Sequence, residues 1–236
     1  MKLVSSLFIV SILTISVGTL LASPSNGDSK SIETATNTLE KAVIALMSVR
    51  ENPVNGIPQS LINNSEGIVI FPGACKVAAG PFNGPGGRGI AIIRNEDGSW
   101  SNPLFVTIRE GNQGFKIGAP TSDIVLLFKD RNDIINIAKT DITLGGDVGV
   151  AEGPVKNGSS SSTDLTFESD IYSYHQIKGL YAGASLNGSI LSYYENLSDS
   201  LYGIDDINMD EIFNEIETPY NDKVNDMLVA LNKYGE

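Results

Sequence analysis

One cysteine, one histidine and one tryptophan among 236 residues leave little material for several kinds of chemistry. A single thiol, Cys75, cannot form an intrachain disulfide, and a single imidazole, His175, excludes the two-histidine zinc motifs. Bases are also scarce: 16 Lys and Arg stand against 28 Asp and Glu, a formal net charge of -12. That sign is wrong for the electrostatic footprint of a nucleic-acid binder. No G-x-S-x-G nucleophile elbow occurs, and no P-loop lysine and hydroxyl pair follows a glycine-rich turn. Gly84, Gly86 and Gly89 do spell G-x-G-x-x-G, but the next segment, GIAIIRN, reads as a strand where a dinucleotide site needs a helix. These absences argue against an enzyme and leave no catalytic, cofactor or metal site to assign. His175 reads as a structural histidine and Cys75 as a small, partly buried thiol.

The charge is unevenly spread. Between Glu195 and Glu236 there are eleven acids and two lysines, a local net of -9, so the rest of the chain is close to neutral. Asp205, Asp206, Asp210 and Glu211 lack the spacing of a calcium loop and read as a solvated helix start, where acids favour the dipole.

At the N-terminus, Met1 and Lys2 precede an uncharged apolar run from Leu3 to Ala22, and turn formers follow. This is the pattern of a secretory signal peptide over residues 1–22, with a retained membrane anchor as the alternative. No cysteine follows the run, against a lipid-modified N-terminus. The expected location is outside the cytoplasm, periplasmic or secreted.

The body of the chain changes period twice. Ala35, Leu39, Ala42, Val43 and Leu46 follow Ile32 at the spacing of one helical face, and a second short helix begins at Pro58 with Leu61 and Ile62 inward. From Gly67 to about Leu186 short Val, Ile, Phe and Tyr runs alternate with turn formers: GIVIFP, GIAIIRN, PLFVTIRE, GFKIG, DIVLLF, DVGVAEG, DLTFESDIYSY and GLYAGASL. Glu96 to Ser99 marks a hairpin turn, 134–139 a short crossing helix, and GSSSST a flexible loop. Helical spacing returns after Leu186 and carries Tyr220, Val224, Met227, Leu228 and Leu231 behind Pro219. The expected fold class is α+β: an antiparallel β-rich core, barrel- or sandwich-like, flanked by N-terminal and C-terminal helices, in one unit over residues 29–234.

The order of motifs carries a resemblance. SEGIVIFPGACK (Ser65 to Lys76), GPGGRG (Gly84 to Gly89), GSWSNP (Gly98 to Pro103), GFKIG (Gly114 to Gly118), VAEGP (Val150 to Pro154) and YSYHQIKGLYAGASLNG (Tyr172 to Gly188) closely resemble the SYLF domain, a lipid-binding module. A leader before such a domain resembles the stand-alone bacterial members. The resemblance implies a non-enzymatic protein that meets phospholipids or phosphoinositides at a membrane surface. It also implies, from the actin contacts of eukaryotic relatives, an alternative: an adaptor whose glycine-rich β surface binds an envelope or extracellular protein. The N-terminal helix departs from the basic pattern of those relatives, since Lys41 and Arg50 are matched by Glu33 and Glu40.

The residues available for an anionic headgroup are Lys76, Arg88, Arg94, Arg109 and Lys116, all in or beside the glycine-rich β region, with Trp100 as an interfacial aromatic. The competing reading makes the bases scattered surface charges and Trp100 a core anchor. Burial of the 32–46 apolar stripe would speak against insertion of that helix into lipid.

Overall fold

The computed structural model describes residues 26–53, 56–74, 86–110, 122–153, 168–177 and 186–232. The leader, Cys75, Lys76, Lys116 and the GFKIG, GSSSST and most of the GLYAGASL segments lie outside them.

The middle of the chain forms strands because its apolar residues come in unbroken β-branched and aromatic runs. β1 (Gly67–Ala74), β2 (Gly86–Ile93), β3 (Leu104–Glu110) and β4 (Ser122–Phe128) carry most of these. After a helix come β5 (Ile142–Thr143), β6 (Val150–Glu152), β7 (Ile171–Ile177) and β8 (Ser189–Tyr193). They make one eight-stranded sheet in the order β5-β8-β3-β2-β1-β4-β7-β6, antiparallel except for the β6–β7 pair. Continuous burial of all seven residues of β4 shows that both sheet faces are covered there.

The sheet curls strongly, and its connectivity says why. Laid flat, eight strands would place β5 and β6 about 34 Å apart. The seven peptide units from Thr143 to Val150 reach at most about 25 Å. That connection also folds on itself: the Gly145 N–H donates to the Val148 carbonyl at 2.8 Å, and Leu144 and Val148 form a parallel bridge. The chain leaving β5 and the chain entering β6 therefore meet at this bridge, and the sheet is curled into a barrel-like shape, a half-barrel. The expected α+β architecture with a barrel-like core is what the chain adopts.

Alternation along the strands assigns the faces. Ile68, Ile70, Ile90, Ile92, Phe105, Val125 and Leu127 share one face by register. Against this outer face packs α1 (Asn26–Arg50), which touches β1, β4, β2 and β7, and over α1 lie α4 (Glu195–Tyr202) and α5 (Asp222–Asn232). Ala35, Leu39, Ala42, Ala45, Leu46 and Val49 of α1 are all buried. The alanines let the helix lie close to the sheet, while Thr34, Thr36 and Thr38 each turn a hydroxyl back to the carbonyl four residues earlier. Arg50 closes α1, donating to the Ala230 carbonyl at 3.4 Å and to the side chain of Gln59 at the start of α2 (Gln59–Asn63).

The inner face is lined by Val69, Phe71, Ala91, Val106, Ile108, Ile124, Leu126 and Leu191, with glycines where space is short. A Cβ on Gly89 would lie 2.2 Å from the Ile70 carbonyl and 2.5 Å from the Phe71 ring. One on Gly67 would meet Ile134 at 2.3 Å, because α3 (Arg131–Lys139) crosses that end of the roll and pushes Ile134 into it. Asp130 caps α3 by accepting from the Asn132 N–H at 2.8 Å.

Two expectations need correction. Helical spacing was expected from Leu186 onward, yet Ser189–Tyr193 is β8, in the body of the sheet between β3 and β5. Two serines in five residues hide it, and it is a strand because β3 offers it a long-range partner. DVGVAEG gives only the three residues of β6, since Gly145 to Val148 are taken up in the closing turn.

Candidate functional site

The six residues singled out for anion or membrane contact fall into separate groups. Lys76 and Lys116 are outside the described residues. Arg94 and Trp100 come together just past the end of β2, where the Asn95 to Ser99 hairpin turn makes them cross-strand partners. Arg94 is used up there: Nε donates to the Ser65 carbonyl at 3.0 Å, and its two terminal nitrogens to Gly98 at 3.0 Å and Ile62 at 2.9 Å. Its guanidinium carbon lies 4.1 Å from the centre of the Trp100 ring, a cation–π stack. Burial lowers the Arg94 pKa, opposed by the nearby Glu66 carboxylate. Trp100 is only 2% exposed. This pair ties α2, β1 and β2 together and presents little of itself to a ligand.

Arg88 and Arg109 lie toward the opposite end, on the outer face. In the register Arg88 faces Thr107, Thr107 faces Ser192, and Arg109 faces Gly86 and Ile190. Arg88, Thr107 and Ser192 therefore make one row across β2, β3 and β8, and Arg109 sits diagonally from Arg88, a separation of about 7–8 Å or a little less. The Ser192 hydroxyl is buried and has no hydrogen-bond partner. Arg109 is half-exposed and paired with Asp141, which is equally open to solvent. A pair so solvated holds Arg109 loosely, by at most about 1 kcal/mol. Two guanidiniums flanking two hydroxyls are a donor set suited to an oxyanion. Thr107 and Ser192 were not found from sequence, because a row across strands 85 residues apart leaves no local pattern.

Other candidates have clear places. His175 lies on the inner face with both ring nitrogens buried and unpartnered, and burial alone pushes its pKa down to about 4. Glu211 and Asn208 exchange hydrogen bonds, each backbone N–H donating to the other's side chain at 3.1 and 2.8 Å, so this acid serves as a helix cap. A cleft of about 640 Å³ opens beside the start of α3 and is lined by acids including Asp130, Asp133 and Asp170. Burial and these two neighbours raise the Asp133 pKa. Among the described residues, no group of three or more His, Cys, Asp or Glu is placed to hold a metal ion. No described helix is long and apolar enough to cross a membrane.

The described residues form a curled sheet carrying helices on its outer face, with a small cationic and hydroxylic row there. Comparison with known proteins identifies the family. The family model Ysc84, described as "Las17-binding protein actin regulator", matches residues 109–234, just over half the sequence. The chain belongs to this family, the Ysc84 or SYLF family. It is 33% identical over 199 residues to the SH3 domain-containing YSC84-like protein 1 of Xenopus laevis, covering 83% of this chain and 58% of that protein. The human protein of the same name is 30% identical over 189 residues, 79% of this chain and 54% of the relative. LAS seventeen-binding protein 3 of Saccharomyces cerevisiae is 27% identical over 173 residues, 70% and 37%. The chain thus spans about half the length, or less, of these relatives. The family's description names binding and actin regulation, and the yeast relative's name names binding.

Proposed function

We propose that the chain is a non-enzymatic lipid-binding module, exported and associated with a membrane surface, that recognises a phospholipid or phosphoinositide-type headgroup through Arg88, Thr107, Ser192 and Arg109. The observation that carries this reading is the unpartnered Ser192 hydroxyl in a row that has an arginine at its other end and a second arginine diagonal to it. The α1 stripe is not the contact, because Ala35, Leu39, Ala42 and Leu46 are spent against the sheet. Headgroup contact at the β surface is thus favoured over insertion of a helix.

A second reading is an adaptor that binds a protein through the same glycine-rich β surface. It is supported by the family's description as Las17-binding and by the relative named for the same partner. Cosedimentation with vesicles separates the two. The expected result is binding to anionic but not neutral vesicles, weakened by raised salt and reduced about tenfold or more in the Arg88→Gln/Arg109→Gln double variant, at about 1 kcal/mol per base. Absence of binding to any vesicle would reject the lipid reading and leave the adaptor.

A further inference from the structure

Three polar side chains project into the rolled sheet near the end away from α3. Ser122 is at the first residue of β4, His175 at the fifth of β7 and Ser189 at the first of β8. The register places them on the inner face with Phe71, Ile108 and Leu191: Ile124 faces His175, Ser122 faces Ile177, and Glu110 faces Ser189. Ser122 and Ser189 are 2% and 0% exposed. Both hydroxyls and both imidazole nitrogens are shut off from solvent, and none has a hydrogen-bond partner.

Folded proteins pair nearly all such groups, since each one left unmade costs about 1–3 kcal/mol. Four unpaired polar atoms on three strands, facing one lumen, are too many to be a packing accident. The opposite end shows the usual remedy: inward Ser173 gives its hydroxyl to the Ala151 carbonyl at 3.1 Å. The chemistry of a missing partner can be read from what surrounds it. No inward-facing position of the described strands is a lysine or arginine, and Glu110 holds the position opposite Ser189, so a carboxylate or phosphate buried there would have no countercharge. A neutral imidazole offers one donor and one acceptor, and each serine offers both. Phe71, Ile108, Ile124 and Leu191 supply buried hydrocarbon around them.

We propose that the inner face at this end is a second binding site, formed by Ser122, His175 and Ser189, which takes a neutral hydrogen-bonding group, an alcohol, amide or ester carbonyl, carried on an apolar chain. The site is separate from the outer arginine row and does not depend on it. The uncharged imidazole of His175, with both ring nitrogens buried, fits such a ligand, since desolvation holds its pKa near 4.

His175 is the sole histidine, so the full-length chain labelled with ¹³C-histidine gives one imidazole Cε1–H signal at a known place. Titration with 1-decanol at pH 7.5 is expected to shift that signal along a saturable, single-site curve, while decanoate, charged at that pH, leaves it in place. Replacing both Ser122→Ala and Ser189→Ala should weaken decanol binding about tenfold or more, the loss of two hydrogen bonds at about 1 kcal/mol each. The Arg88→Gln/Arg109→Gln protein should respond to decanol like the unaltered chain, so failure here and failure of vesicle binding are distinguishable. An unshifted signal with decanol would overturn the proposal, as would a cross-peak to exchanging water that persists unchanged in its presence, which would make the partner a bound water. An equal response to decanoate would overturn the neutral-ligand chemistry.

Discussion

The inward histidine also makes the chain's stability depend on pH in a way that can be worked in advance. In the unfolded chain the imidazole titrates near 6.5, and in the folded one burial holds it near 4. Above pH 6.5 both states carry a neutral ring and the group contributes no pH dependence. As pH falls through 6.5 the unfolded state takes up a proton that the folded state refuses, so stability is lost until about pH 4, below which both are protonated. The full difference is about 3 kcal/mol, and about 2 kcal/mol of it is gone at pH 5. Many carboxylates titrate over the lower part of this range, so the measurement is a difference: urea unfolding of the unaltered chain and of His175→Phe at pH 7.5, 6, 5 and 4.5. The gap between the two free energies should be flat above pH 7 and shift in favour of the phenylalanine variant by about 2 kcal/mol at pH 5. A gap that stays constant to pH 4.5, or a folded-state imidazole signal that titrates near 6.5, would refute the burial of this ring.

Replacing Arg94 by alanine removes three carbonyl contacts and the Trp100 stack, and is expected to cost about 2–4 kcal/mol in thermal or urea unfolding, with only partial recovery in Arg94→Lys. Gly89→Ala should cost about 3 kcal/mol or more, because its methyl group would strike the Ile70 backbone. Gly98→Ala, at φ +85° with open space around it, should lose only about 1 kcal/mol in the same unfolding assay. Asn102 donates to the carbonyls of Ile216 and Glu217 and accepts from the Tyr220 N–H, so Asn102→Ala should cost about 2–3 kcal/mol and speed amide exchange at Tyr220.

Strands whose apolar residues run without a break, such as GIVIFP and DIVLLF, could be read from sequence because burial on both faces writes itself into every position. The α1 stripe and the Glu96 to Ser99 turn were equally legible, one from period and the other from composition. β8 was not, since its strand character comes from the 85 residues separating Ser192 from Thr107 rather than from its own residues. The proposed outer row escaped for the same reason: Arg88 and Arg109 were visible as bases, but the two hydroxyls between and beside them depend on register. Arg94 and Trp100 were chosen as exposed chemistry, and the hairpin that brings them together also buries the ring and saturates the guanidinium. The inner polar trio was invisible because alternation fixes a face only once the sheet has been rolled.

The interleaved strand order has a consequence for how this sequence can be divided. Segments far apart in the chain are neighbours: β8 lies against β3, and β4 against β1. The stretch matched by the family model begins at Arg109, inside β3, and omits α1, β1 and β2, the centre of the sheet. A fragment cut at that point would carry β4 and β8 with their main partners missing, two raw edges on either side of an absent middle. Such a piece cannot be shuffled, fused or expressed as a portable cassette: a graft must take the sequence from α1 onward. Mixing separately made halves would demand that three central strands slot between others already formed, a slow search of high contact order open to aggregation at each step.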